Sequence, residues 1–258
     1  MNRNKKWSKK LLSAAIAGTM IIGNSTTTFA WTTSNEVSER EEKNAELAVE
    51  AAQEGMVLLK NNGALPVNAG SKIALYGSGA VCTIKGGTGS GDVNQRNVVN
   101  IYDGLKDVYN IANQSYLQPY IDDWAKAQAG ELTEGTEYIN AQQQFFNTVY
   151  TGNETHITDA QTLSQQDIDC AFYVISRVSG EGSDRAAAEN DGDYNLSEIE
   201  RENLETLTKF YDKVVVLLNT ANVIDTKFIE EIPGIDAVLL ISQGGMYSGT
   251  AVADVLTG

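Results

Sequence analysis

Glu181 is the residue whose neighbours best suit it to meet a bound molecule. It stands between two glycines in Ser179-Gly180-Glu181-Gly182-Ser183-Asp184-Arg185. Glycine lifts the steric limit on backbone angles, so a carboxylate flanked by two of them turns freely toward a bound molecule. Gly, Ser and Asp are also ordinary turn residues, and on its own the stretch reads equally as a solvated turn. Asp184 and Arg185 either modulate Glu181 and contact the ligand or fix the loop as a mutual pair. A second candidate is Gly86-Gly87-Thr88-Gly89-Ser90-Gly91-Asp92. Its Gly87, Thr88, Gly89 and Ser90 suit close backbone approach to a ligand, or form a long surface loop. Nucleotide binding is disfavoured. No phosphate loop with a closing Gly-Lys is present, and Cys82 stands where Gly77-Ser78-Gly79 would need its third glycine.

The elements around these stretches define the fold class. Short apolar runs at Ile73–Tyr76, Ala171–Ile175, Val214–Leu218 and Ala237–Ile241 read as strands, the last three covered on both faces. Ser197 and Glu200 form a capping box that opens a helix running to about Tyr211, with Ile199, Leu204, Leu207 and Phe210 inward. Further helices are expected over 36–60, Asn100–Val108, Tyr116–Ala129, Thr136–Tyr150 and Thr250–Leu256. Strand, loop and helix in repetition predict an α/β fold, a mostly parallel sheet with helices on both faces. Such a sheet gathers the loops Gly77–Asp92, Arg177–Arg185, Asn219–Asn222 and Ser242–Tyr247 at the carboxyl ends of its strands, where ligands bind. Their amides, hydroxyls, one glycine-flanked Glu and a Tyr suit a neutral polyhydroxyl ligand such as a sugar. Asp122-Asp123-Trp124 lies on a helix with no strand before it, and Asp123 reads as a surface acid; His156 reads as a loop residue.

Composition narrows the partners. The 258 residues carry a formal charge of −15 and 42% apolar content, enough for a large core. Residues 1–30 hold five bases and no acid; the rest carries 14 bases against 34 acids, a formal −20. So acidic a surface argues against nucleic acid and anionic membranes. Residues 1–30 read as a secretory signal peptide: a basic start, an apolar run from Leu11 to Ile22, and a cleavage site at Thr28-Phe29-Ala30. The expected organisation is this leader, a helical lead-in over 31–63 and an α/β domain over 64–258, in a secreted protein with no membrane attachment after cleavage. Cys82 and Cys170 are free to pair in an oxidising compartment, although a buried thiol is the commoner fate for a cysteine that opens a strand. One histidine and no Cys-x-x-Cys give no support to a metal site, and no cofactor is expected.

Five motifs in order resemble glycoside hydrolase family 3 over roughly 45–258. The run from Ala52 to Pro66 resembles the opening of that family's α/β-sandwich domain, and Gly86–Gly91 its glycine-rich loop. Ser179–Gly182 with Asp184-Arg185 is similar to its acid/base loop; Asn219–Asp225, and Gln243–Gly245 with Ala251–Gly258, are similar to its later strands and last helix. The resemblance implies a retaining β-glycosidase of the β-glucosidase kind, acting on terminal β-linked sugars, with Glu181 as general acid/base. It also implies an aspartate nucleophile on a separate barrel domain, which these 258 residues do not contain. The expected arrangement is the permuted one, with the barrel following the sandwich in a larger enzyme. The other reading is a stand-alone sugar-binding or interaction module that kept the fold without the chemistry.

Overall fold

The computed structural model describes residues 35–87, 95–129, 142–143, 148–149, 152–158, 167–179, 187–188 and 192–258. The chain divides into two units, residues 1–41 and 42–258. Of the first, only 35–41 are described. There Ser38 and Glu41 cap each other's backbone N–H groups at 2.8 and 3.3 Å, which starts helix α1, Glu39–Glu54. The expected leader lies outside the described residues.

Helix α1 stops short of the expected residue 60. Val57–Asn61 is instead strand β1. Gly55 disfavours a further helical turn, and the Val-Leu-Leu run that follows finds a sheet edge to pair with. The sheet therefore takes in residues ahead of 64. Asn61-Asn62-Gly63 is then a turn after a strand, not a helix cap. The Asn61 Oδ1 accepts the N–H groups of Gly63, Ala64 and Leu65, and Gly63 takes a φ of 87°.

The remaining strands are β2 (Lys72–Tyr76), β3 (Asn110–Ile111), β4 (Gln142–Gln143), β5 (Thr148–Val149), β6 (Cys170–Ser176), β7 (Val214–Asn219) and β8 (Ile235–Leu240). One six-stranded sheet has the order β1-β8-β7-β6-β2-β3. Only β1 runs antiparallel, against β8; every other neighbouring pair is parallel. This is the α/β fold with a mostly parallel sheet read from the sequence. Strands β4 and β5 pair with each other in a small antiparallel ribbon, so these parts of the expected helix 136–150 are extended.

Helices α2 (Ile101–Lys106), α3 (Gln114–Ala129), α4 (Glu198–Phe210), α5 (Phe228–Glu231) and α6 (Ser248–Thr257) complete the unit. Val214 to Leu218 are wholly buried, as are Ala171, Phe172 and Tyr173 of β6. Continuous apolar strands of this kind require cover on both faces. Cys82 and Cys170 are both buried free thiols; burial pushes the Cys170 thiol up to about 12. Asp123 sits on α3, paired with Lys126 at 2.9 Å, and His156 is exposed with Nδ1 3.1 Å from Glu202.

The path through the sheet matters for function. From β2 the chain moves out to β3, then returns to lay β6 on the other side of β2 and continues outward through β7 and β8. The order reverses between β2 and β6. At such a switch point the loops leaving the two carboxyl ends diverge and open a crevice.

Helix α6 meets α2 through backbone. A Cβ on Gly249 would lie 1.8 Å from the Asn100 carbonyl oxygen, and one on Gly104 would lie 2.0 Å from that of Gly249. Gly249→Ala gains about 1 kcal/mol of helix propensity, but it must separate two backbones in contact. The net expectation is a loss of about 1–3 kcal/mol, the cost of overpacking, measured as a lower urea midpoint. Unchanged or raised stability would show that α6 shifts freely.

Candidate active site

The loop that carries Glu181 leaves β6 at Arg177 and returns to α4 at Ser197. Arg177 is buried although charged. Its Nη1 and Nη2 each donate at 2.7 Å to one carboxylate oxygen of Glu200. Its remaining donors reach the carbonyls of Asp193 (Nε, 2.7 Å), Asn195 (Nη2, 3.2 Å) and Ser176 (Nη1, 2.9 Å). One planar guanidinium thus binds the outgoing strand, the returning arm and the first turn of α4. Burial works against its charge, but Glu200 outweighs this and the Arg177 pKa is raised. Glu200 acts twice: its Oε2 also accepts the Ser197 backbone N–H at 2.8 Å, closing the expected capping box.

A second fastener crosses the carboxyl edge. Asn219, the last residue of β7, is wholly buried. Its Oδ1 accepts from the Ile84 N–H at 2.7 Å and the Ser176 hydroxyl at 2.8 Å. Its Nδ2 donates to the carbonyls of Ile84 (2.9 Å) and Ser242 (2.7 Å). The loops after β2 and β8 and the last residue of β6 therefore meet on one amide that ends β7. Ser242 takes a φ of 55° to make this turn, an uncommon conformation outside glycine. Next to it, Gln243 Nε2 is buried with no hydrogen-bond partner, and Asn222 donates through Nδ2 to the Ser179 hydroxyl. Gly87, exposed, lies against the loop after β6: a Cβ there would be 3.6 Å from the Ser179 carbonyl oxygen.

The structure therefore brings Gly87 beside the start of the Glu181 loop. Glu181, Asp184, Arg185, Thr88, Gly89 and Ser90 lie outside the described residues. The sequence reading treated Arg177, Asn219 and Glu200 as members of loops or caps and assigned them no role at the site. An arginine directly after a buried strand was the available signal, since such a charge requires a partner.

Glu154 was not singled out at all. It is half-buried, between the turn after β2 and the face of β6. Its carboxylate accepts from the Ser78 N–H (2.9 Å), the Tyr173 hydroxyl (2.7 Å) and Asn203 Nδ2 (3.2 Å). Burial raises its pKa to about 7, against the Ser78 hydrogen bond and with help from the like charge of Glu200. Among the described residues no cationic partner offsets the burial. Among the described residues no group of His, Cys, Asp or Glu is arranged to hold a metal ion.

The pattern of the Glycosyl hydrolase family 3 C-terminal domain matches residues 56–258. The chain belongs to glycosyl hydrolase family 3. Beta-glucosidase A of Butyrivibrio fibrisolvens is 30% identical over 244 residues, 84% of this chain and 27% of its own length. A beta-glucosidase of Ruminococcus albus is 34% identical over 216 residues, 83% of this chain and 21% of its own. Beta-glucosidase 3B of Thermotoga neapolitana, solved in complex with alpha-D-glucose, superposes with a TM-score of 0.70 at 34% identity, covering 86% of this chain and 30% of that one. The chain thus spans about a quarter of the length of the curated relatives it matches. In the family 3 domain described here, the sheet and its carboxyl-edge loops are the α/β sandwich that the motifs resembled.

Two consequences can be measured. Arg177→Leu leaves the Glu200 carboxylate buried without its cation, and unfolding free energy should fall by about 3–5 kcal/mol; a loss below 1 kcal/mol would show that the pair does not hold the loop ends. Glu154 binds its proton more tightly folded (about 7) than at its ordinary 4.5. Its contribution is therefore fully present below pH 4.5 and is lost as pH rises toward 7, with a slope of up to about 1.4 kcal/mol per pH unit. Glu154→Gln should flatten urea-midpoint profiles across that window, whatever its absolute stability. An unaltered slope would assign the titration to another group.

Proposed function

We propose that this chain is the acid/base-bearing part of a secreted, retaining β-glycosidase of the β-glucosidase type, which releases terminal β-linked sugars. Glu181 protonates the glycosidic oxygen as the bond breaks, then takes a proton from the water that frees the sugar. The nucleophile is an aspartate on a barrel domain elsewhere in the enzyme, about 5–5.5 Å from Glu181 in the working site, as retention requires. Asp184 and Arg185 flank the acid, and Gly87–Ser90 bring backbone close to the sugar. Residues 1–30 direct export and are removed.

The observation that carries this reading is the position of the loop: it springs from β6 at the switch point of the sheet, and both its ends are tied to one buried guanidinium. Family membership supplies the chemistry that such a loop would perform. A catalytic carboxylate must be held to well under an ångström, and fixed loop ends favour that precision. The absence of any long apolar helix among the described residues is compatible with export but says nothing of it.

Glu181→Gln in the complete enzyme should lower turnover of an alkyl β-glucoside by about 10²–10⁴-fold. A nitrophenyl β-glucoside needs little help from the acid when its bond breaks, so its glycosylation step should suffer much less. Equal hydrolysis of both substrates by wild type and variant would remove Glu181 from the mechanism.

A further inference from the structure

Beside the returning arm of the Glu181 loop lies a cavity of about 550 Å³, within the roughly 300–1,000 Å³ typical of small-molecule sites. One wall is Asn195 and Leu196, the other Asp225 and Lys227 from the loop after β7, with Phe228, Arg201 and Glu231 completing it. The walls are fixed. The Asn195 carbonyl accepts from Arg177, the Asn195 side chain donates to the carbonyls of Ala187 and Ala188, and the Asp225 N–H donates to the Tyr194 carbonyl at 2.7 Å. The two loops are thus joined to each other and to the guanidinium anchor.

The charges of the lining cancel. Arg201 pairs with Glu231 at 3.0 Å and Lys227 with Asp225 at 3.5 Å. An anion or a cation would have to break a pair to bind. A neutral molecule with many hydroxyls need not, since each hydroxyl both donates and accepts and can join an existing pair. Leu196 and Phe228, both buried, close the floor beneath these pairs. No long-range charge steers such a ligand, and the pre-set walls lower the cost of binding it.

We propose that this cavity is a second carbohydrate-binding site, separate from the carboxylate that cleaves, and that it takes a short neutral glucan segment. The probe is cellotriose, titrated calorimetrically into the complete protein carrying Glu181→Gln, with released glucose assayed in the same samples. Saturable binding is expected in the range of about 10⁻⁴–10⁻³ M, and adding Arg201→Ala with Lys227→Ala should weaken it by about tenfold. The same pair of changes in the wild-type background should leave turnover of a nitrophenyl β-glucoside, whose single sugar the cleaving site holds by itself, within about twofold. Circular dichroism confirms that the fold survives. Binding unaffected by the two changes would place the sugar elsewhere and overturn the proposal, as would no saturable binding, or competition by sulfate as strong as by glucose. Glucose released by the Glu181→Gln protein at the wild-type rate would count against the acid/base assignment alone and leave the cavity result readable.

Discussion

A buried guanidinium cannot be hydrated, so the protein around it must supply both its counter-charge and its hydrogen-bond acceptors. Arg177 receives them from one carboxylate and three carbonyls on segments that converge on one point: the end of β6, the arm that returns from the Glu181 loop, and the first turn of α4. The carboxylate that neutralises it also caps that helix. Were the pair replaced by apolar residues of similar volume, stability could well survive; what would be lost is the set of directional contacts that fix where a long polar loop begins and ends. The structure uses a costly interaction where position matters more than stability.

Asn219 extends that anchoring along the carboxyl edge. An amide carries two donors and two acceptor positions, and here all four are used, on two loops and the end of β6. Arg177 meets the same residue through its own N–H, which donates to the Asn219 carbonyl at 3.0 Å. The loops after β2, β6, β7 and β8 are therefore mechanically one object, built without a metal or a disulfide among the described residues. A change at any one of them would be felt at the others.

Much of this was legible from the chain. The runs at 73–76, 171–175, 214–218 and 237–241 are strands because their apolar residues are continuous, and Ser197 with Glu200 starts a helix because the capping box is a local motif. Local signals failed where a non-local partner decided the outcome. Val57–Asn61 carries on the apolar spacing of α1 but is drawn into the sheet by the edge of β8. Gln142-Gln143 and Thr148-Val149 sit in polar, weakly periodic sequence and gain their conformation from each other. At the site, the sequence marked Gly87 for close approach to a ligand, and the structure sets it against Ser179 of the loop after β6. Spacing could not reveal Asn219 or Glu154, whose roles depend on partners up to 135 and 76 residues away.

The two carboxylates near the ends of the loop after β6 are held by different partners. Glu200 faces the Arg177 guanidinium and accepts the Ser197 backbone N–H. Glu154 faces only neutral donors, from the turn after β2, from β6 and from α4, with the like charge of Glu200 beyond them. Three hydrogen bonds offset part of the desolvation but not all of it, and the group is left poised near neutrality. The segment 152–158 is thereby tied to β6 through Tyr173 and to α4 through Asn203 by an interaction that changes with pH. The switch point of the sheet thus has an ion pair on the side where the loop after β6 is rooted, and a cradle of neutral donors for Glu154 behind the turn that follows β2.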